Sequence, residues 1–192
     1  GPNADMVGSP STADRALSVA ALDASRPTFV KATVAAATPV DLVVLNDQEG
    51  DLPITGPVRV LQSAPGVISL GCDDADYASV KAGDIVVVAR GTCPRVDKAK
   101  KGAAAGAAAV VMVNNDSTLP PFEGPIAGVG VPFLGAFASD GPALLALDGT
   151  SHTISQNGTI PNPTWASPAD FSSGGPRSGD SALKPEITAP AA

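Results

Sequence analysis

Apolar residues in this chain fall in short runs separated by turn formers, a pattern of many small strands rather than of long amphipathic helices. Ala16-Leu-Ser-Val-Ala-Ala-Leu22 is the first such run, between the Pro10 region and Ser25-Arg-Pro27. Between residues 29 and 61, strands rich in Val, Leu and Thr are predicted at Phe29-Val-Lys-Ala-Thr-Val34, Val40-Asp-Leu-Val-Val-Leu45 and Val58-Arg-Val-Leu61. Turns are expected at Asn46-Asp47, Gly50-Asp51 and Gly56-Pro57. The clearest unit follows. Ile85-Val-Val-Val-Ala89 reads as a buried strand, and Pro94 stands where a helix takes proline at its first position. A helix to about residue 105 would put Val96, Ala99, Ala103 and Ala107 on one narrow face. Arg95, Lys98 and Lys101 fall away from that face, with Asp97 and Lys101 an i,i+4 pair. Gly106 stops the helix and residues 108–113 form the next strand, giving a parallel, right-handed strand, helix, strand unit.

Beyond it, residues 114–121 read as a loop and 129–137 as a strand containing Pro132. Ser139-Asp-Gly-Pro142 opens a short helix carrying Leu144, Leu145 and Leu147, which Asp148-Gly149 ends. A last strand spans 152–156, before an Asn157-Gly158 turn and a proline-rich passage. Boundaries near 25 and 165 divide the chain into an N-terminal flank (1–25), a central domain (26–165) and a C-terminal flank (166–192).

Composition narrows the core and the partners. With 44% hydrophobic residues but only 4% aromatic ones, the core must be built from small aliphatic side chains, and 20 glycines and 19 prolines imply frequent turns. A net charge of −7 argues against nucleic acid as a partner, because phosphate-backbone binding relies on clustered Lys and Arg. The longest apolar run, 103–113, is interrupted by Gly106 and falls far short of a bilayer span, so no membrane association is read.

The central residues resemble a known module. Gly83-Asp-Ile-Val-Val-Val-Ala-Arg-Gly-Thr-Cys93, then Val96-Asp-Lys-Ala99, then Ala104-Ala-Gly-Ala-Ala-Ala-Val-Val-Met-Val-Asn114 look like the protease-associated (PA) domain, over about residues 28–160. The flanks are similar to the subtilisin-like serine peptidases. Gly1-Pro2 and Val7-Gly-Ser-Pro-Ser-Thr-Ala-Asp-Arg-Ala-Leu-Ser-Val-Ala-Ala21 resemble the segment after that family's oxyanion-hole asparagine. Gly1-Pro2 has a second reading, as the scar of a cleaved tag. Phe171-Ser-Ser-Gly-Gly-Pro176 and Leu183-Lys-Pro-Glu-Ile-Thr-Ala-Pro190 resemble the stretch that precedes its catalytic serine. Two departures stand out: Gly174 where many members have Arg, and Ala191 where the family continues with Gly.

The resemblance implies an α+β fold: a mainly β sandwich or partly closed barrel with a strand, helix, strand unit and one or two flanking helices. It further implies a non-catalytic domain of a secreted, extracellular subtilisin-like endopeptidase, acting on substrate access or polypeptide binding. Its partners would be the parent's catalytic domain and polypeptide substrates. Rival readings are a self-association module that builds a homodimer and a stand-alone extracellular protein-binding domain.

Few residues offer chemistry of their own. In a secreted chain the even cysteine count suggests that Cys72 and Cys93 form a disulfide, against the alternative of two buried thiols. Such a bridge would close a loop of about 22 residues, worth ~3 kcal/mol in the chain-entropy model. The single histidine, His152, follows Gly149-Thr-Ser151, a faint echo of a serine-peptidase nucleophile motif. A catalytic Ser151–His152 pair is weighed against an ordinary strand-edge histidine, which the missing helix-forming continuation favours. Asp73, Asp74 and Asp76 lack the ligand set of a calcium loop and read as a solvated loop. Two cysteines and one histidine are too few for zinc. Gly102 and Gly106 belong to the helix and not to a phosphate loop, so no cofactor is called for. Arg95, Lys98, Lys100 and Lys101 read as a solvated basic face. Asn115 and Asn157 head N-glycosylation sequons on surface turns.

Overall fold

A computed structural model of the chain describes residues 7–9, 11–169, 172–177 and 179–191. Gly1-Pro2 and Phe171, invoked above, lie outside the described residues. The strands, in chain order, are β1 (Val19–Asp23), β2 (Thr28–Ala35), β3 (Val40–Val44), β4 (Ile54–Val60), β5 (Gln62–Ala64), β6 (Val67–Ile68), β7 (Ile85–Ala89), β8 (Ala109–Val113), β9 (Phe133–Ala136), β10 (Ser151–Pro161) and β11 (Ile187–Ala191). Helix α1 (Arg95–Ala104) joins β7 to β8, and α2 (Gly141–Leu145) follows β9. The chain divides into two compact units, residues 29–160 and residues 1–28 with 161–192.

The larger unit is a closed seven-stranded barrel in the order β10-β2-β3-β9-β8-β7-β4. Its β4-β7-β8-β9 arc is parallel, while β2-β3, β3-β9 and β10-β4 pair antiparallel. Parallel strands are covered on both faces, which is why β7 and β8 read as unbroken apolar runs. The period of two divides their side chains between two cores. Ile85, Val87, Ala109, Val111 and Val113 join Val34, Leu42, Val58, Leu134 and Ile154 in a cluster drawn from all seven strands, the barrel interior. Val86, Val88, Val110 and Met112 point the other way, into a second cluster with Ala99 of α1, Tyr77 and Phe133. Each fully buried Val or Leu contributes roughly 1.5–3 kcal/mol of transfer free energy.

Local signals explain most elements, and where they mislead, a distant neighbour is the reason. Gly106 does end α1, at φ 91°. Pro94 sits one residue outside the helix, at its cap, rather than at the first helical position. Lys98, expected on a solvated face, is fully buried. Gly56-Pro57, read as a turn, lies within β4. There the missing side chain admits the Gly83 carbonyl, whose oxygen would stand 2.3 Å from a Cβ at position 56. Asn157-Gly158 is likewise inside a strand, because β10 runs on to Pro161. The strand predicted over 129–137 shortens to Phe133–Ala136. Pro132 has no N–H, and Asn46 is buried beside it. The Asn46 side-chain amide donates to the Val131 carbonyl (2.9 Å), and its oxygen accepts from the Phe133 amide (2.9 Å), standing in for a rung of the ladder.

In the smaller unit β1 and β11 pair in parallel, Val19 opposite Ile187 through Asp23 opposite Ala191. Lys184 is buried, donating to the Ala16 carbonyl (2.6 Å) and paired with Glu186, whose other oxygen accepts from the Ser18 amide (2.7 Å). The amide of Asn162 donates to the carbonyl of Pro27 at 2.9 Å, so the two crossings between the units start side by side.

Candidate functional site

The carboxyl ends of β7 and β8 carry the larger unit's most elaborate polar construction. The Arg90 amide donates to the Val113 carbonyl (2.8 Å), and its guanidinium donates to Asn114 Oδ1 (2.6 Å) and Asp116 Oδ2 (3.1 Å). Asp116 Oδ1 in turn accepts from the Thr118 amide (2.8 Å) and from Asn114 Nδ2 (3.1 Å). These bonds, with the Thr118 hydroxyl foremost and the Arg90 charge adding, hold the Asp116 acid below its ordinary range. Two residues after Arg90, Thr92 takes a left-handed conformation (φ 54°) and delivers Cys93 to Cys72, with Cα atoms 5.7 Å apart in a disulfide.

Lys98 lies under this bridge. Its ammonium donates to the Leu70 carbonyl, to the Gly91 carbonyl (3.2 Å) and to the sulfurs of Cys93 (3.0 Å) and Cys72 (3.7 Å). Burial pulls its pKa down, partly opposed by the Asp76 charge. Tyr77 closes the floor, its hydroxyl donating to the Gly71 carbonyl (3.1 Å) or to the Lys98 carbonyl (3.3 Å). Burial, followed by the Asp76 and Asp74 charges, pushes that phenol up. Gly71 has φ 60°, and a Cβ there would meet the Tyr77 hydroxyl at 2.6 Å.

The acidic run beside it is structural. Asp73 caps the 3-10 turn Asp74–Tyr77 with Asp76 reciprocating, and Asp74 pairs with Lys101, the contact that takes the place of the predicted Asp97–Lys101 pair. A cleft of about 440 Å³ lies between this turn and α1, lined by Asp74, Tyr77, Lys100, Lys101 and Ala104. Val67, in β6, and Leu70, just after it, are exposed. Among the described residues, no group of three or more His, Cys, Asp or Glu is placed to hold a metal ion.

The remaining sequence-predicted positions lie elsewhere. His152 is the second residue of β10, with Nε2 2.9 Å from the Thr150 hydroxyl and Nδ1 2.9 Å from the Ala35 carbonyl. Both ring nitrogens thus face groups other than Ser151. Asn115 is exposed in the turn after β8, and Asn157 is exposed in β10 with its amide donating to the Thr33 hydroxyl (3.1 Å). Sequence reading missed Lys98, Tyr77 and Asn46 as site or core polar groups. The only hint was a Lys and an Asn each set against apolar runs.

The described residues of this arrangement present charged, polar and apolar groups side by side. Residues 54–144 match the family model described as PA domain. Over 97% of the chain, the sequence is 32% identical to a PI-type proteinase of Lactococcus lactis subsp. cremoris, and over 99% it is 31% identical to the minor extracellular protease Vpr of Bacillus subtilis. The chain spans 10% and 23% of the length of those relatives. Among solved structures, a zinc aminopeptidase from Bacillus subtilis superposes with a TM-score of 0.51 at 25% identity, covering 71% of this chain and 32% of its own. No helix among the described residues is long and apolar enough to cross a membrane. The matched segment runs from β4 into α2, through the strand, helix, strand unit and the disulfide, and over these residues the chain is similar to the PA domain.

Proposed function

We propose that residues 29–160 are a protease-associated domain inserted into the catalytic domain of a secreted subtilisin-like serine endopeptidase. Residues 1–28 and 161–192 are then the two interrupted ends of that catalytic domain. The observation that carries this reading is the reach of the similarity. The proteinases match along 97–99% of the chain, flanks included, whereas the aminopeptidase structure leaves more than a quarter of it unmatched.

Physical features of the flanks support it. Parallel strand pairs live in sheets covered on both faces, yet β1 and β11 form a sheet of two strands, with a single bridge from Leu22 to Pro168 beside it and Leu17, Val19 and Ile187 exposed, as expected of a piece of a wider sheet. The Asn162–Pro27 hydrogen bond brings the entry and exit of the barrel unit together, the arrangement that lets a domain be inserted without disturbing its host. The domain itself contributes contact rather than chemistry. Its rim at the ends of β7 and β8, with Val67, Leu70 and the Arg90–Asp116 pair, offers apolar and charged surface to an incoming polypeptide, and so biases which proteins reach the cleft.

The test is excision of 29–160 from the full-length peptidase, closing the chain from residue 28 to residue 161 with a short Gly-Ser linker. Turnover of a short chromogenic peptide should stay within about threefold, while kcat/KM among large protein substrates should shift by about tenfold or more. Equal effects on peptide and protein substrates would contradict the proposed role.

A further inference from the structure

Two lysines are buried among the described residues, and they differ in what faces them. Lys184 has a carboxylate, Glu186. Lys98 has none in contact. Its ammonium is held by two backbone carbonyls and by the disulfide, 3.0 Å from the Cys93 sulfur and 3.7 Å from that of Cys72. Asp76, the acid whose charge it feels, has its own carboxylate turned to the Asp73 amide (3.2 Å). A buried cation short of a counter-ion stabilises any negative charge that forms next to it. The nearer sulfur is also the one that leads, through Pro94, into the N-terminus of α1, whose amide dipoles act in the same sense.

From this geometry we infer that Cys72–Cys93 is a polarised, thiol-responsive bridge, with Cys72 the site of modification and Cys93 the leaving sulfur. A small-molecule thiolate attacks Cys72 Sγ. The new S–S bond forms there as the Cys72–Cys93 bond breaks, and its electron pair stays on Cys93, which leaves as a thiolate paired with the Lys98 ammonium. No proton moves, and no oxidant is needed. In reverse, the Cys93 thiolate attacks the Cys72 sulfur, expels the small thiolate and restores the bridge. Opening removes the covalent tie between residues 70–72 and residues 91–93 and leaves Lys98, bonded to the Leu70 and Gly91 carbonyls, as the remaining link.

Reduced glutathione is the probe. The native chain is exposed to it briefly, quenched in acid, alkylated, and mapped by peptide mass spectrometry. We expect glutathione on Cys72 and the alkyl group on Cys93, in a ratio of about ten to one. An even distribution, a preference for Cys93, or a bridge that takes up no glutathione would each overturn the inference. In Lys98→Met the ratio should fall towards one. Should that variant fail to fold, alkylation of the fully reduced wild-type chain at pH 7 decides instead. Cys93 is expected to react about tenfold faster than Cys72, and equal rates would refute the assignment.

Discussion

Four donors converge on the carboxylate of Asp23: the Thr164 hydroxyl (2.6 Å), the amide and hydroxyl of Ser25 (3.0 and 2.7 Å) and the Asn162 side-chain amide (3.4 Å). Each bonds the charged form better than the neutral one, and together they lower its pKa from 3.8 to about 2, the Thr164 hydroxyl contributing most. A carboxylate depressed on folding contributes stability that is fully present above the unfolded value. That contribution is lost as pH falls from near 4 through about 2. Asp23→Asn removes the titration, so the variant's stability should decline less steeply across that window, as followed by denaturant melts at successive pH values. A carboxyl resonance of Asp23 that titrates near 4 in the native chain would refute the account. The contrast with Lys98 is instructive. Asp23 meets two of its partners within the local Asp23–Ser25 turn, a short-range signal, whereas Lys98 draws its oxygens from residues 70 and 91, so its burial depends on two loops that α1 does not contain.

Among elements, α1 and the strands beside it were the most legible. Unbroken apolar runs at 85–89 and 109–113, with Pro94 before and Gly106 after the helix, specify strand, helix and strand by local chemistry alone. The Gly56-Pro57 and Asn157-Gly158 pairs were illegible for the opposite reason. Both are turn dipeptides by local preference, and only the Gly83 carbonyl at position 56 and the long β10 strand around position 157 override it. Gly102 tests how closely α1 lies on the sheet. Alanine would favour the helix by about 1 kcal/mol through propensity. Its Cβ, however, would fall 2.4 Å from Cγ2 of the fully buried Val110, and overpacking of that kind costs roughly 1–3 kcal/mol. Gly102→Ala is therefore expected to destabilise by about 1 kcal/mol in urea unfolding. Gly50→Ala, with nothing within 4 Å of the new Cβ, serves as the near-neutral control. A more stable Gly102→Ala chain would mean that α1 has room to spare.

At the scale of the molecule, the two units differ in what they need. A closed barrel has no open edge to protect, and residues 29–160 have an inner and an outer core of their own, with a disulfide across a sequence separation of 21. Their ends are hydrogen-bonded neighbours in the barrel, β2 beside β10, so cutting there breaks neither core. The described residues of 1–28 and 161–192 include one two-stranded parallel pair, with Leu17 66% and Leu183 76% exposed, and a two-stranded pair by itself is at best marginally stable in water. A fragment spanning residues 28–161 should therefore fold by itself, giving dispersed amide resonances and one cooperative thermal transition. The two flanks joined by a short linker should give the narrow dispersion of an unfolded chain. They should become ordered only with the rest of a wider sheet to pair with. An unfolded barrel fragment would remove the basis for calling 29–160 a domain. Flanks that fold alone would remove the reason to regard them as the interrupted ends of another one.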